Sequence, residues 1–328
     1  MGHFVDGVWK EDSYDPKKEG GQFVRVPSRF RHWVTPDGAP GPDGDGGFKA
    51  EPGRYHLYIA NGCPWAHRTL IFRKLKKLEN AISLSIVAPA MEERGWWFGD
   101  VPGSIPDTVN GKQVLGEVYL LADAHYTGRV TVPVLWDKQR KTIVSNESSE
   151  IIRMFNSGFD EFTNAHEDYY PAELRAEIDK VNELVYANVN NGVYRTGFAL
   201  TQAAYEEGFK KLFAALDQLE ARLGKSRYLV GDRITEADWR LFVTLLRFDA
   251  VYYVLFKCNL RRIADYPNLS NYLRELYQVP GIAETVNMDH IKRSYYRARP
   301  TTNPLGIVPV GPEQDFTKPH DRGRFIRN

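Results

Sequence analysis

Two cysteines stand in a chain of 328 residues, Cys63 and Cys258, and only one sits where a thiol becomes reactive. Tyr55-His56-Leu57-Tyr58-Ile59-Ala60 is aromatic and β-branched, the composition of a strand. Asn61-Gly62 follows as a turn, and Cys63-Pro64 opens a helix, proline being suited to a first helical turn. A cysteine at a helix start faces unpaired backbone N–H groups and the positive end of the helix dipole. Both favour thiolate over thiol, and such sites titrate at about 3.5 to 7.5 instead of about 8.5. Cys63 is therefore a candidate nucleophile. Ala66 occupies the place of the second sulfur in a Cys-x-x-Cys pair. A mixed disulfide on Cys63 must then be released by a thiol from outside. Cys258, in Leu255-Phe256-Lys257-Cys258, reads as a small buried hydrophobe. His67 shares a helical face with Cys63, but the helix start already supplies activation, and it reads as structural. His166 and His290 have no companions at ligand spacing, so no metal is expected.

The elements that must position Cys63 follow from periodicity. Ala66, Leu70, Ile71, Leu75 and Leu78 recur at helical spacing, with Arg68, Arg73, Lys74, Lys76 and Lys77 on the other side. Ile82-Ser83-Leu84-Ser85-Ile86-Val87 alternates as a strand, completing a β-α-β unit with the cysteine at its first turn. A loop carrying Gly95-Trp96-Trp97-Phe98 comes next. Val130-Thr131-Val132-Pro133-Val134-Leu135-Trp136 is a strand interrupted by proline, which marks an edge, a bulge or a cis turn. Its hairpin partner Thr142-Ile143-Val144 leads through Ser145-Asn146-Glu147-Ser148 into a helix bearing Ile151, Ile152 and Phe155, giving a β-β-α order. The N–H groups and hydroxyl at Glu147 and Ser148 suit a carboxylate, and the backbone at Val132 offers an edge to an extended peptide. From about Pro171 the pattern is helical. Its clearest start is Thr235-Glu236-Ala237-Asp238, an N-cap with an acid at the third helical position, and Pro267 and Pro280-Gly281 divide the later helices. The first fifty residues are poor in periodicity and rich in breakers, and their last part, Thr35 to Gly47, reads as a loop. Their aspartates do not fall in the register of a calcium loop.

The 43 basic and 42 acidic side chains nearly cancel, which leaves no global field to attract nucleic acid or an anionic membrane. Lys318, Arg322, Arg324 and Arg327 form a basic end that reads as a solvated tail. No apolar stretch approaches membrane-spanning length, and the first residues do not form a signal peptide. Two unpaired cysteines fit a reducing cytoplasm.

The β-α-β then β-β-α order, Val132-Pro133, the Ser145-Asn146-Glu147-Ser148 turn and the capped Thr235-Glu236-Ala237-Asp238 helix together resemble the glutathione transferases. Cys63-Pro64-Trp65-Ala66-His67-Arg68 is similar to their cysteine-type members. Gly95-Trp96, the Gly128–Asp137 segment and Asn190-Asn191-Gly192-Val193-Tyr194 look like the Xi class, the glutathionyl-hydroquinone reductases. The resemblance implies an α/β thioredoxin-like domain over residues 51–160 and an all-α substrate domain over 171–298. An extension over 1–50 precedes them and an irregular tail over 299–328 follows, in a homodimer. It implies reductive removal of glutathione from a glutathionyl-hydroquinone through a Cys63–glutathione mixed disulfide, with a second glutathione as co-substrate. Trp96, Arg129, Val132, Glu147 and Ser148 would hold glutathione, Arg129 through its two-pronged donors. Tyr194 would supply a proton to the leaving carbon, and Tyr252 and Tyr295 would bind the quinol. A general cysteine-type thiol transferase or dehydroascorbate reductase on the same fold is the alternative reaction. A non-enzymatic binding domain is a third reading, and Cys63 at a helix start argues against it.

Overall fold

The computed structural model describes residues 2–11, 18–298 and 302–325, which form two units. The first unit holds residues 2–11, 27–167 and 284–298. It opens with an antiparallel hairpin of two short strands, His3–Val5 (β1) and Val8–Lys10 (β2). Asp6 and Gly7 both take positive φ at its tip, the conformation that two-residue hairpin turns require.

Tyr55–Ile59 (β3) is buried along its whole length, and helix Pro64–Leu75 (α1) carries the chain to a parallel neighbour, Ile82–Ile86 (β4). Helix Leu115–Ala122 (α2) precedes the hairpin of Val134–Asp137 (β5) and Thr142–Ser145 (β6), and helix Ser148–Ser157 (α3) follows it. The sheet order is β4-β3-β5-β6, with β5 antiparallel to both β3 and β6. This is a thioredoxin-like α/β unit. The Val132–Pro133 bond is cis, so of the three readings of that proline the turn is the one found. Pro133 lies just before β5 and removes no donor from the ladder. Residues 27–35 run beside β6: His32 N–H donates to Val144 O at 2.9 Å, and the backbones of Phe30 and Asn146 pair at 3.2 Å.

The second unit holds residues 18–26, 168–283 and 302–325, with no strand among its described residues. Its helices are Arg175–Val185 (α4), Gly192–Gly197 (α5), Gln202–Leu223 (α6), Glu236–Arg247 (α7) and Pro267–Tyr277 (α8). Wider π-helical turns extend α4 through Tyr186–Asn190 and α7 through Phe248–Tyr252. Every residue of α7 is buried, so its cap must be satisfied from within the protein. Asp238 does this: its carboxylate accepts the N–H of Thr235 at 2.8 Å, the N–H of Leu229 at 2.9 Å and the hydroxyl of Tyr272 at 2.7 Å. Among the described residues no helix is long and apolar enough to cross a membrane.

Two expectations change. Arg322, read as part of a solvated tail, is fully buried. Its guanidinium donates to Leu223 O at 2.7 Å, the last carbonyl of α6 and one without a helical partner, and to Ser226 O at 2.6 Å in the turn that follows. Burial lowers its pKa, and the nearby Glu275 carboxylate opposes that. Arg327, by contrast, lies outside the described residues, as do 299–301 of the expected tail. The last helix, Met288–Tyr296 (α9), belongs to the first unit and not to the helical one assigned to residues 171–298. His290 and Ser294 explain its place, since both are buried against the loops around the cysteine turn.

Candidate active site

Cys63 is the N-cap residue of α1, with extended backbone angles (φ −76°, ψ 121°), and Pro64 occupies the first helical position. Its carbonyl takes the first helical bond, from His67 N–H at 3.0 Å. The thiol is half-buried and points at Val132 O, 3.6 Å away, on the segment that turns through the cis bond. The turn before it is wedged in place. Gly62 passes so close to α9 that a Cβ there would lie 2.0 Å from Ser294 Oγ. Ser294 donates its hydroxyl to Pro89 O. Asn61 Nδ2 lies 3.3 Å from Gly103 O and 3.4 Å from His290 Nδ1, while His290 Nε2 is 2.7 Å from Pro102 O. His67 is buried with Nε2 2.8 Å from Thr285 Oγ1, which gives that ring a structural partner.

Glu147 is the N-cap of α3. One carboxylate oxygen accepts the N–H and hydroxyl of Ser149 at 3.0 and 2.8 Å, and the other accepts the hydroxyl of Ser28 at 3.0 Å. Burial alone would raise its pKa. The Ser149 amide and hydroxyl, the Ser28 hydroxyl and the charge of Arg68 outweigh that and hold it below the usual carboxylate range. Ser148 beside it is buried, and its hydroxyl has no hydrogen-bond partner, an uncommon cost for a buried polar group. Trp96 is buried, and its carbonyl accepts Leu115 N–H at 2.9 Å, joining its loop to the start of α2. Arg129 is exposed, while its backbone carbonyl accepts the Tyr126 hydroxyl at 2.9 Å. Cys63, Trp96, Arg129, Val132, Glu147, Ser148 and Tyr295 all lie in the first unit.

Tyr194 on α5 and Tyr252 at the end of α7 lie in the second unit, with ring centroids 6.0 Å apart at 62°. Phe256 packs on both, 5.6 Å from Tyr194 and 5.3 Å from Tyr252. Tyr252 is fully buried and Tyr194 nearly so; Tyr295 is half-buried, while its neighbour Tyr296 is buried and has its pKa pushed up to about 12. Arg25 holds its guanidinium 5.1 Å above the Tyr194 ring and donates to Asn191 Oδ1 at 2.8 Å. Sequence reasoning missed Arg25 and Ser28 because both sit in a stretch without periodicity. Among the described residues no group of three or more His, Cys, Asp or Glu side chains is arranged to hold a metal.

Known proteins share this sequence and fold. Residues 62–157 match the model of the glutathione S-transferase N-terminal domain, and residues 202–275 that of its C-terminal domain. The chain is 57% identical to the glutathionyl-hydroquinone reductase YqjG of Escherichia coli (strain K12), over 100% of this chain and 99% of that one. The glutathione-bound structure of YqjG superposes with a TM-score of 0.91, covering 98% of this chain and 99% of that one. Identity to the glutathionyl-hydroquinone reductase PcpF of Sphingobium chlorophenolicum is 55%, over 96% of this chain and 97% of that one. The Xi-class transferase of Natrialba magadii is 46% identical with a TM-score of 0.90, covering 99% of this chain and 97% of that structure. The chain belongs to the glutathione transferases, in the Xi class of glutathionyl-hydroquinone reductases.

Proposed function

We propose that the Cys63 thiolate carries the reduction of glutathionyl-hydroquinones, with glutathione as the second thiol. The observation that carries this reading is the placement of a half-buried sulfur at the N-cap of α1, with Ala66 where a resolving cysteine would stand. The thiolate attacks the sulfur of the glutathionyl group. The bond from that sulfur to the aromatic carbon breaks, the carbon keeps the electron pair and takes a proton, and hydroquinone leaves. Cys63 is left in a disulfide with glutathione. A second glutathione, as thiolate, attacks the glutathionyl sulfur of that disulfide. Oxidised glutathione departs and the Cys63 thiolate returns.

Trp96, Arg129, Val132, Glu147 and Ser148 are the proposed cradle for the glutathionyl group. The unpartnered Ser148 hydroxyl and the amide ends of α3 suit one of its carboxylates, and Val132 offers its backbone to the peptide. Tyr194 is the proposed proton donor, with Tyr252 and Tyr295 as quinol contacts. Homodimeric assembly and work in a reducing cytoplasm complete the proposal, two cysteines outside any disulfide being suited to that compartment.

The test is a stoichiometric assay. With a glutathionyl-hydroquinone as substrate, hydroquinone and oxidised glutathione should accumulate one to one over many turnovers, and turnover beyond the first equivalent per Cys63 should occur only when glutathione is added. Tyr194→Phe should lower kcat by about 10²-fold, the scale of a lost general acid. Full activity in that variant would remove the phenol from the mechanism.

A further inference from the structure

The hairpin at the start of the chain reaches two loops that are distant in sequence and that carry two residues of the proposed glutathione cradle. On one side it pairs with the segment leading to Arg129. Phe4 N–H donates to Gly128 O at 2.9 Å, Gly128 N–H returns to Phe4 O at 3.0 Å, and Gly7 N–H donates to Tyr126 O at 3.0 Å. Asp6 N–H adds a bond to Thr127 Oγ1 at 2.8 Å. Phe4 is buried with its ring edge-on to Tyr126, whose hydroxyl fixes the Arg129 carbonyl. On the other side, Trp9 Nε1–H donates to Glu93 O at 3.1 Å. That carbonyl lies in the tight turn closed by Glu92 and Gly95, which exchange bonds at 3.0 and 2.9 Å immediately before Trp96. Gly95 has φ +86°, and the Trp9 ring lies 3.2 Å from where a Cβ would stand, so the indole packs on the turn itself. Phe4 and Trp9 meet edge to face at 5.2 Å and tie the two sides together.

We propose that this hairpin is a brace, and that Trp9 and the Thr127 hydroxyl are positioning residues acting through Trp96 and Arg129 on glutathione binding. This rests on the assignment of Trp96 and Arg129 to the glutathione cradle. Binding residues on loops lose affinity when the loops must be ordered at the moment of binding, and a supporting shell removes that cost. The nucleophile has separate supports, namely α1 and the Asn61-Gly62 turn wedged by α9. Loosening the brace should therefore weaken glutathione binding and leave the chemistry at Cys63 alone.

The experiment compares the full-length protein with Trp9→Ala, Trp9→Phe, Thr127→Val, Trp96→Ala and Arg129→Ala. It measures KM for glutathione and for the glutathionyl-hydroquinone, kcat, and the rate of Cys63 alkylation by iodoacetamide without glutathione. Trp9→Ala should raise both KM values by about five-fold, the scale of losing one well-placed contact. Thr127→Val should do the same to a smaller degree, and Trp9→Phe, which keeps the ring on Gly95, should recover part of the loss. In these three variants kcat and the alkylation rate should stay within about two-fold of wild type. Wild-type KM values in Trp9→Ala and Thr127→Val, with raised values in Trp96→Ala and Arg129→Ala, overturn the brace and leave the cradle standing. Wild-type values in Trp96→Ala and Arg129→Ala overturn both. A fall in kcat and alkylation together with KM makes the hairpin a general structural support and also overturns the proposal.

Discussion

Cys63 and Cys258 are the same side chain in opposite surroundings. Cys63 caps the start of α1 with its sulfur half-buried and within reach of a backbone carbonyl on a neighbouring turn. Cys258 follows the wide turn that ends α7, fully buried, with its sulfur 3.8 Å from Phe256 O and 4.0 Å from Val193 O. Burial pushes its thiol well above the usual cysteine range, and the Thr196 hydroxyl and Lys257 charge recover little of that. One sulfur stands at a helix N-terminus, where the dipole favours negative charge; the other is buried away from the water that would stabilise it. Reactivity here belongs to the backbone context of the sulfur.

That contrast can be broken in several ways. Cys63→Ala should cost at least about 10³-fold in kcat, because no other sulfur is placed to form the mixed disulfide. Iodoacetamide on the native protein should label Cys63 at least about 10²-fold faster than Cys258. Raising the pH from about 7 to about 9 should not close the gap, since the Cys258 thiol titrates above that window. Both should label once the protein is unfolded, as peptide mapping would show. Ser148→Ala should raise KM for glutathione about ten-fold and leave Cys63 alkylation unchanged, separating the cradle from the nucleophile. Cys258→Ala is the smallest change for catalysis, within about two-fold in kcat, while denaturant unfolding should register a loss of about 1–2 kcal/mol from the shrunken side chain.

Much of the catalytic region is visible in the residues themselves. The strand at 55–60, the turn at Asn61-Gly62 and the helix opened by Cys63-Pro64 rest on local signals: β-branched composition, a turn pair and a proline at the first helical position. The acid at the third position of α7 is equally local, and it proves to be a three-way buried acceptor. What escapes sequence reasoning depends on partners far along the chain. Helix α2 is eight residues long, has Gly116 at its second position and shows no side-chain cap, so propensity barely marks it. Asp6-Gly7 is a sound hairpin signal, but three-residue strands on each side give no periodicity to support it. Helix α9 reads as one more amphipathic helix, and only His290 and Ser294 meeting Pro102, Asn61 and Pro89 show which unit it serves. Arg322 lies in a Gly- and Pro-rich stretch, and its burial is set by carbonyls at the end of a helix a hundred residues earlier and in the turn after it. Arg25 and Ser28 likewise gain meaning only from Tyr194 and Glu147.

The central claim is the disulfide on Cys63, and intact-mass measurement during turnover tests it most directly. With a glutathionyl-hydroquinone in excess and glutathione withheld, the protein should gain the mass of one glutathionyl group, mapped by proteolysis to the peptide containing Cys63. One equivalent of hydroquinone should appear in solution, and added glutathione should remove the adduct. Multiple turnovers with the thiol of Cys63 unmodified and no glutathione consumed, or an adduct on Cys258, would contradict the account.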